Sequence, residues 1–248
     1  MSPTLALRKF DVPMRRTPGH HLRVVEAGQG QPVLMVHGAA GSHQNWIHQI
    51  RALGRSFRVV APDLRGHGDS PWPGPSTIED FYHDLEDLVE ELELGPRLHL
   101  VAHSFGGCIS ALYASRHLGQ VRTLALLNTA GQLPRGLAYR FLEEFSHHAD
   151  LLRRHYPWMI ASDSLVSTWL LRHTLKQWDI WDVYPRLEMP SLVILGALDP
   201  LVPVSYGRRM ASLLPRATLR VLPTGGHVSM IEQPAQVTTW LEELLRSG

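Results

Sequence analysis

A serine lies between small residues in Ala102-His103-Ser104-Phe105-Gly106-Gly107, directly after an apolar run and directly before a segment of helical period. Small residues two before and two after a serine let the chain turn so sharply that the hydroxyl stands clear of the backbone. The following helix offers its N-terminal N–H groups and positive dipole end to developing negative charge. Ala102 stands where the Gly-x-Ser-x-Gly pattern has its first glycine, and its side chain is still only a methyl group. The pentapeptide is common by chance, and the flanking strand and helix supply its specificity. A serine hydroxyl is a weak nucleophile until a base removes its proton. That base is expected to be a histidine held by a carboxylate, both carried on loops at the C-terminal ends of strands. Residues 191–200 end in Leu198-Asp199-Pro200, just beyond one apolar run, and residues 218–227 end in Gly225-Gly226-His227, just beyond the next. Singly, Asp199 reads as a turn residue and His227 as a helix-entry residue. Together with Ser104, in this context, they read as acid, base and nucleophile.

These three residues need a frame. Short apolar runs alternate with helical segments, the signal of a parallel sheet covered by helices, and strands buried on both faces read as continuous apolar runs. Such runs fall at residues 32–36, 57–61, 98–102, 123–127, 191–195 and 218–222. Residues 21–26 are expected to form an antiparallel edge hairpin with the chain near Phe10. Helices are expected over 44–53, 106–116, 204–214 and 234–245, with another opened by Thr77 as N-cap and running towards Gly95-Pro96. Residues 131–187 break the rhythm. They lack a buried-strand pattern and hold four of the seven tryptophans, Trp158, Trp169, Trp178 and Trp181. The segment reads as a helical insertion. Its indoles either fix it to the body or form an apolar, substrate-binding wall over a cleft.

The chain resembles the α/β-hydrolase superfamily in four segments: His37-Gly38-Ala39-Ala40-Gly41-Ser42, Asp63-Leu64-Arg65-Gly66-His67-Gly68-Asp69-Ser70, the serine turn, and Gly226-His227. The chain order Ser, Asp, His is that of the superfamily. The resemblance implies an α/β fold with a mostly parallel eight-stranded sheet flanked by helices, its body made of residues 1–130 and 188–248, and a helical cap over 131–187. It also implies an oxyanion hole formed by the backbone N–H groups of Phe105 and Ala39. His37 reads as a brace for the loop around Ala39, and residues 63–70 as a loop held together by arginine and aspartate without a catalytic part. His103 is expected to point differently from Ser104. Cys108 reads as a buried small apolar residue, and His147, His148 and His155 as surface residues without the spacing of a metal site.

Composition narrows the function classes. Lys plus Arg (24) nearly balance Asp plus Glu (23) among 248 residues, and no excess of basic charge points to nucleic acid or an anionic membrane. A single cysteine forbids a disulfide within the chain. No stretch of about 18 apolar residues occurs, the first sixteen residues lack a signal peptide's apolar core, and a cytoplasmic protein is the expectation. The leading function is a carboxylesterase acting on small or medium apolar esters, with no cofactor or metal. Serine at the turn argues against the dehalogenase and epoxide hydrolase chemistries of the superfamily, which use aspartate there. Lactonase, thioesterase, lipase, amidase and carbon–carbon bond hydrolase share the machinery, and a triad-bearing small-molecule receptor is the alternative of another class.

Overall fold

The computed structural model describes residues 5–156 and 160–248. Eight strands form one sheet: β1 (Leu7–Pro13), β2 (His21–Ala27), β3 (Pro32–Val36), β4 (Arg58–Pro62), β5 (Leu98–His103), β6 (Val121–Leu127), β7 (Ser191–Gly196) and β8 (Ala217–Leu222). Their spatial order is β1-β2-β4-β3-β5-β6-β7-β8. The expected hairpin is present, with Phe10 opposite Val24. β2 also runs antiparallel to β4, and every later pair is parallel.

The pleat of the strands distributes their side chains between two cores. Val33 and Met35 of β3, Val101 of β5, and Leu192 and Ile194 of β7 enter one apolar cluster with α1 (Ile47–Leu53) and, at the far end of the chain, the helix over Pro234–Ser247. Leu34, Val36, Leu100, Val193 and Leu195 enter the opposite cluster. There they meet α2 (Ile78–Glu91) and α3 (Phe105–Arg116). Burial on both faces is why the central strands read as unbroken apolar runs. The edge strand β8 alternates between partly buried and exposed positions instead.

Local signals explain the helix boundaries. Thr77 caps α2 as expected, accepting from the Asp80 N–H while the Asp80 carboxylate accepts from the Thr77 N–H, so two otherwise unpaired donors are satisfied together. Helix α2 stops at Glu91, short of Gly95-Pro96, and Glu93 adopts a left-handed φ of 50°. In α3 every residue from Phe105 to Ala114 is buried, which fits a helix that is apolar all round.

Among the described residues between β6 and β7 no strand joins the sheet. The chain there forms α4 (Leu137–Phe145), α5 (Ala149–His155) and α6 (Ser164–Trp169), and a π-helical turn over Leu170–Thr174. Asp163 starts α6 by accepting from the Val166 N–H at 2.8 Å. After β7 come α7 (Val204–Leu213), then α8 (Ser229–Glu232) and α9 (Pro234–Ser247). No helix among the described residues is long and apolar enough to cross a membrane.

Candidate active site

Because β5, β6, β7 and β8 are parallel, the residues that follow them emerge on one edge of the sheet. Ser104 follows the last residue of β5, Asn128 the last of β6, Asp199 comes three residues after β7, and His227 five residues after β8. Ser104 has φ 49° and ψ −120°, a conformation that costs a non-glycine residue about 1–3 kcal/mol. Its N–H donates to the Leu127 carbonyl, and its own carbonyl accepts from the Gly107 N–H and the Thr129 hydroxyl. The turn is possible because nothing larger than hydrogen stands at position 106. A Cβ there would lie 2.4 Å from the His37 carbonyl oxygen and 2.6 Å from that of Val36.

The structure brings the three chemical side chains together. His227 Nε2 lies 3.2 Å from Ser104 Oγ, and His227 Nδ1 lies 2.9 Å from Asp199 Oδ2. The Asp199 carboxylate is nearly filled with donors. Oδ1 accepts from the N–H groups of Leu201 (2.8 Å) and Val202 (3.0 Å), and Oδ2 also accepts from Asn128 Nδ2 at 2.9 Å. Burial works to raise the Asp199 pKa, but the hydrogen bond and charge of His227, with the Val202 and Asn128 donors, outweigh it, and the group sits below the usual aspartate value. An ionised Asp199 requires the proton on Nδ1 of a neutral His227, leaving Nε2 as acceptor for the serine proton.

Of two further polar residues of the site, one escapes sequence reasoning and the other has a bonding part that its sequence context does not assign. Asn128, buried and at φ 48°, donates to Asp199 and to the Gly226 carbonyl, and its Oδ1 accepts from Ser229 Oγ at 2.5 Å. It ties the acid loop to the base loop. The available signal was a polar pair, Asn128-Thr129, directly after a buried strand that ends on the same edge as Ser104. His103 is the other. Burial, and then the neighbouring His227, lower its pKa to about 3. The neutral ring donates from Nε2 to the His227 carbonyl at 2.8 Å. His103 thus meets the backbone of His227 while Ser104 Oγ meets its ring, and both residues line the cavity.

The loop after β3 also behaves as a braced unit. His37, its pKa lowered to about 3 by burial and then by His67, donates from Nδ1 to the Gly38 carbonyl and accepts from the Leu64 N–H at 2.9 Å. His67 accepts the Ala40 N–H at 3.1 Å. Asp63 accepts from the His43 and Asp69 N–H groups, and Arg65 grips Asp84 through two bonds of 2.6 Å. Ala39 thus lies on a fixed loop at the cavity wall beside Ser104 and Phe105. Phe105, as the first residue of α3, has no intrahelical acceptor for its N–H.

Above these groups lies a cavity of about 660 Å³. Of the three expected tryptophans among the described residues only Trp178 lines it, with its Nε1 donating to the Ala130 carbonyl. Trp169 instead donates to the Ser76 carbonyl and stacks on His173 at 4.3 Å. Trp181 packs against Gly131, with the Arg209 guanidinium 4.0 Å over its ring. Both fix the insertion in place rather than line the cavity, and Trp158 lies outside the described residues. The wall is mainly aliphatic: Leu133, Leu142, Leu171, Leu175, Leu201 and Val202 contribute to it. Cys108 is buried away from these groups, and burial pushes its thiol well above the usual range.

Sheet order and the turn that lifts Ser104 are those of the α/β hydrolases as a class. Residues 33–240 match the alpha/beta hydrolase family, and the chain belongs to that family. It is 28% identical over 243 residues to a putative carbamate hydrolase, RutD, of Caulobacter sp. (strain K31), covering 87% of this chain and 90% of that one. It is 27% identical to the 2-hydroxy-6-oxo-6-(2'-aminophenyl)hexa-2,4-dienoic acid hydrolase of Metapseudomonas resinovorans, covering 87% and 84%. A thermophilic esterase from Thermogutta terrifontis superposes with a TM-score of 0.80 at 27% identity, covering 97% of this chain and 98% of that one. Against other curated relatives the chain spans as little as 54% of their length.

Proposed function

We propose that this α/β hydrolase cleaves carboxylic esters of apolar acids through an acyl-enzyme on Ser104. The observation that carries this reading is the line Asp199–His227–Ser104, hydrogen-bonded at 2.9 and 3.2 Å, at the floor of an apolar cavity. Ser104 Oγ attacks the ester carbonyl as His227 Nε2 takes its proton. The backbone N–H groups of Phe105 and Ala39 hold the oxyanion, being fixed by the helix start and by the His37–His67 bracing. His227 then gives its proton to the leaving alcohol. Water attacks the acyl-enzyme with the same base, and Asp199 keeps the imidazole oriented in both halves.

Residues 131–187 act as the cap in this reading, since Leu133, Leu142, Leu171, Leu175 and Trp178 close the cavity over Ser104. The wall takes the acyl chain, and each methylene buried there contributes about 0.8 kcal/mol, roughly fourfold in kcat/KM, until the space is full. A hydrolysis screen across acyl length, with lactones and thioesters included, tests the proposal. Rates of straight-chain esters that rise from acetate to a longer optimum support it. Faster turnover of lactones or thioesters would reassign the substrate, and ligand binding without turnover would make the chain a receptor.

A further inference from the structure

The cavity wall is unusual in which charges it lacks. Among the described residues no lysine or arginine lines it, and its one formally anionic side chain, Glu232, sits beside His227 with its carboxylate accepting from the Gly226 N–H. The polar groups deeper in the wall are already engaged with the protein. Tyr139 donates its hydroxyl to the Leu171 carbonyl, Ser146 to that of Glu143, and the Ser167 hydroxyl is paired with Ser162 at 2.7 Å. Three cations of the same segment are turned to other partners: Lys176 pairs with Glu143, Arg172 reaches His147, and Arg135 donates to the Lys176 carbonyl. A carboxylate in the acyl space, away from the Phe105 and Ala39 N–H groups that hold the ester oxygen, would give up water and meet neither a cation nor a donor that is not already engaged with Leu171, Glu143 or Ser162. Such an unpaired buried charge is strongly disfavoured. We infer that the cavity selects by charge, accepting uncharged apolar acyl chains and rejecting those that carry a second carboxylate. The inference rests on the ester reading of the same site and narrows its substrates to monoacid esters.

Binding to the Ser104→Ala variant tests this without turnover. Three methyl esters share a four-methylene chain and end in an isopropyl group, a primary amide or a carboxylate. The three ends have nearly the same shape, and the amide separates polarity from charge. Calorimetric titration at neutral pH is expected to give the isopropyl-ended ester a Kd at least about a hundredfold below the carboxylate-ended one, equivalent to ~2.8 kcal/mol, with the amide between them. A carboxylate-ended ester that binds within about threefold of the amide would overturn charge selection. So would failure of all three to bind, since the acyl chain would then not enter the cavity. Turnover of the same esters by the unaltered protein reports separately on ester hydrolysis. If the affinities follow the expected order but nothing is cleaved, charge selection stands and the ester reading falls.

Discussion

At Asp199 the carboxylate is doing two things that one substitution separates. It accepts three protein donors that hold its loop, and it accepts the His227 Nδ1 proton that fixes the imidazole tautomer. Asp199→Asn keeps the shape but favours the wrong tautomer, and kcat is expected to fall by about three to four orders of magnitude. A steady-state assay showing less than about a tenfold loss would mean that another carboxylate orients His227. Ser104 carries a second separable property, its left-handed backbone at φ 49°. Ser104→Gly removes the hydroxyl and relieves the strain together. Activity is expected to vanish while the melting temperature rises by about 2–4 °C, corresponding to roughly 1 kcal/mol. An unchanged or lowered melting temperature in that variant would show that the turn stores no strain.

The elements were legible to the degree that burial left a pattern. The strands ending before Ser104 and Asp199 are buried on both faces, the one ending before His227 is the edge strand β8, and the runs at 98–102, 191–195 and 218–222 predict all three to within a residue or two. The triad followed, because Ser104, Asp199 and His227 each sit just past such a run. The tryptophans of the insertion were legible as important but not in their direction. An indole can fill a cavity wall or anchor a segment, and the choice was made by carbonyl partners at Ser76 and Ala130 that lie far away in the chain. Asn128 was missed for a related reason: its three hydrogen bonds join loops that only the sheet order brings together. The same order explains why position 106 tolerates nothing larger than hydrogen. With a Cβ of Gly106→Ala facing two backbone carbonyls of the adjoining β3 edge, α3 must shift away from the sheet. The variant is expected to lose about 1–3 kcal/mol in denaturant unfolding, with reduced kcat because Ser104 and Phe105 move with the helix. A variant of full stability and rate would show that the helix start is free to adjust.

On the scale of the whole molecule, five buried histidines set the response to acid. Burial is the leading cause in each, lowering His37 and His103 to about 3 and His20 and His99 to about 4, and holding His67 below the usual histidine value. In the unfolded chain the same imidazoles titrate near 6.5. Below that pH the unfolded state binds protons that the native state refuses, so stability is complete above ~6.5 and declines as the pH falls towards the native values. Each such histidine removes about 1.4 kcal/mol per pH unit across that window. The carboxylates of Asp63 and Asp199, both lowered in the fold, stabilise above the ordinary aspartate range and lose that contribution only at lower pH. Thermal unfolding across pH is therefore expected to be flat near pH 8 and to fall already below ~6.5, ahead of carboxylate titration. A melting temperature constant down to pH ~5 would mean that these rings accept protons in place.

The cavity joins two parts of the chain with different duties. Its floor is assembled from the ends of the sheet strands, where Ser104, Asp199 and His227 are spaced across nearly half the sequence, while much of its wall comes from the single stretch between β6 and β7. In the ester-hydrolase reading proposed above, the reaction and much of the choice of what reacts are inherited on separate stretches of the gene. A change or exchange confined to residues 131–187 can give a descendant a new diet while leaving its chemistry untouched.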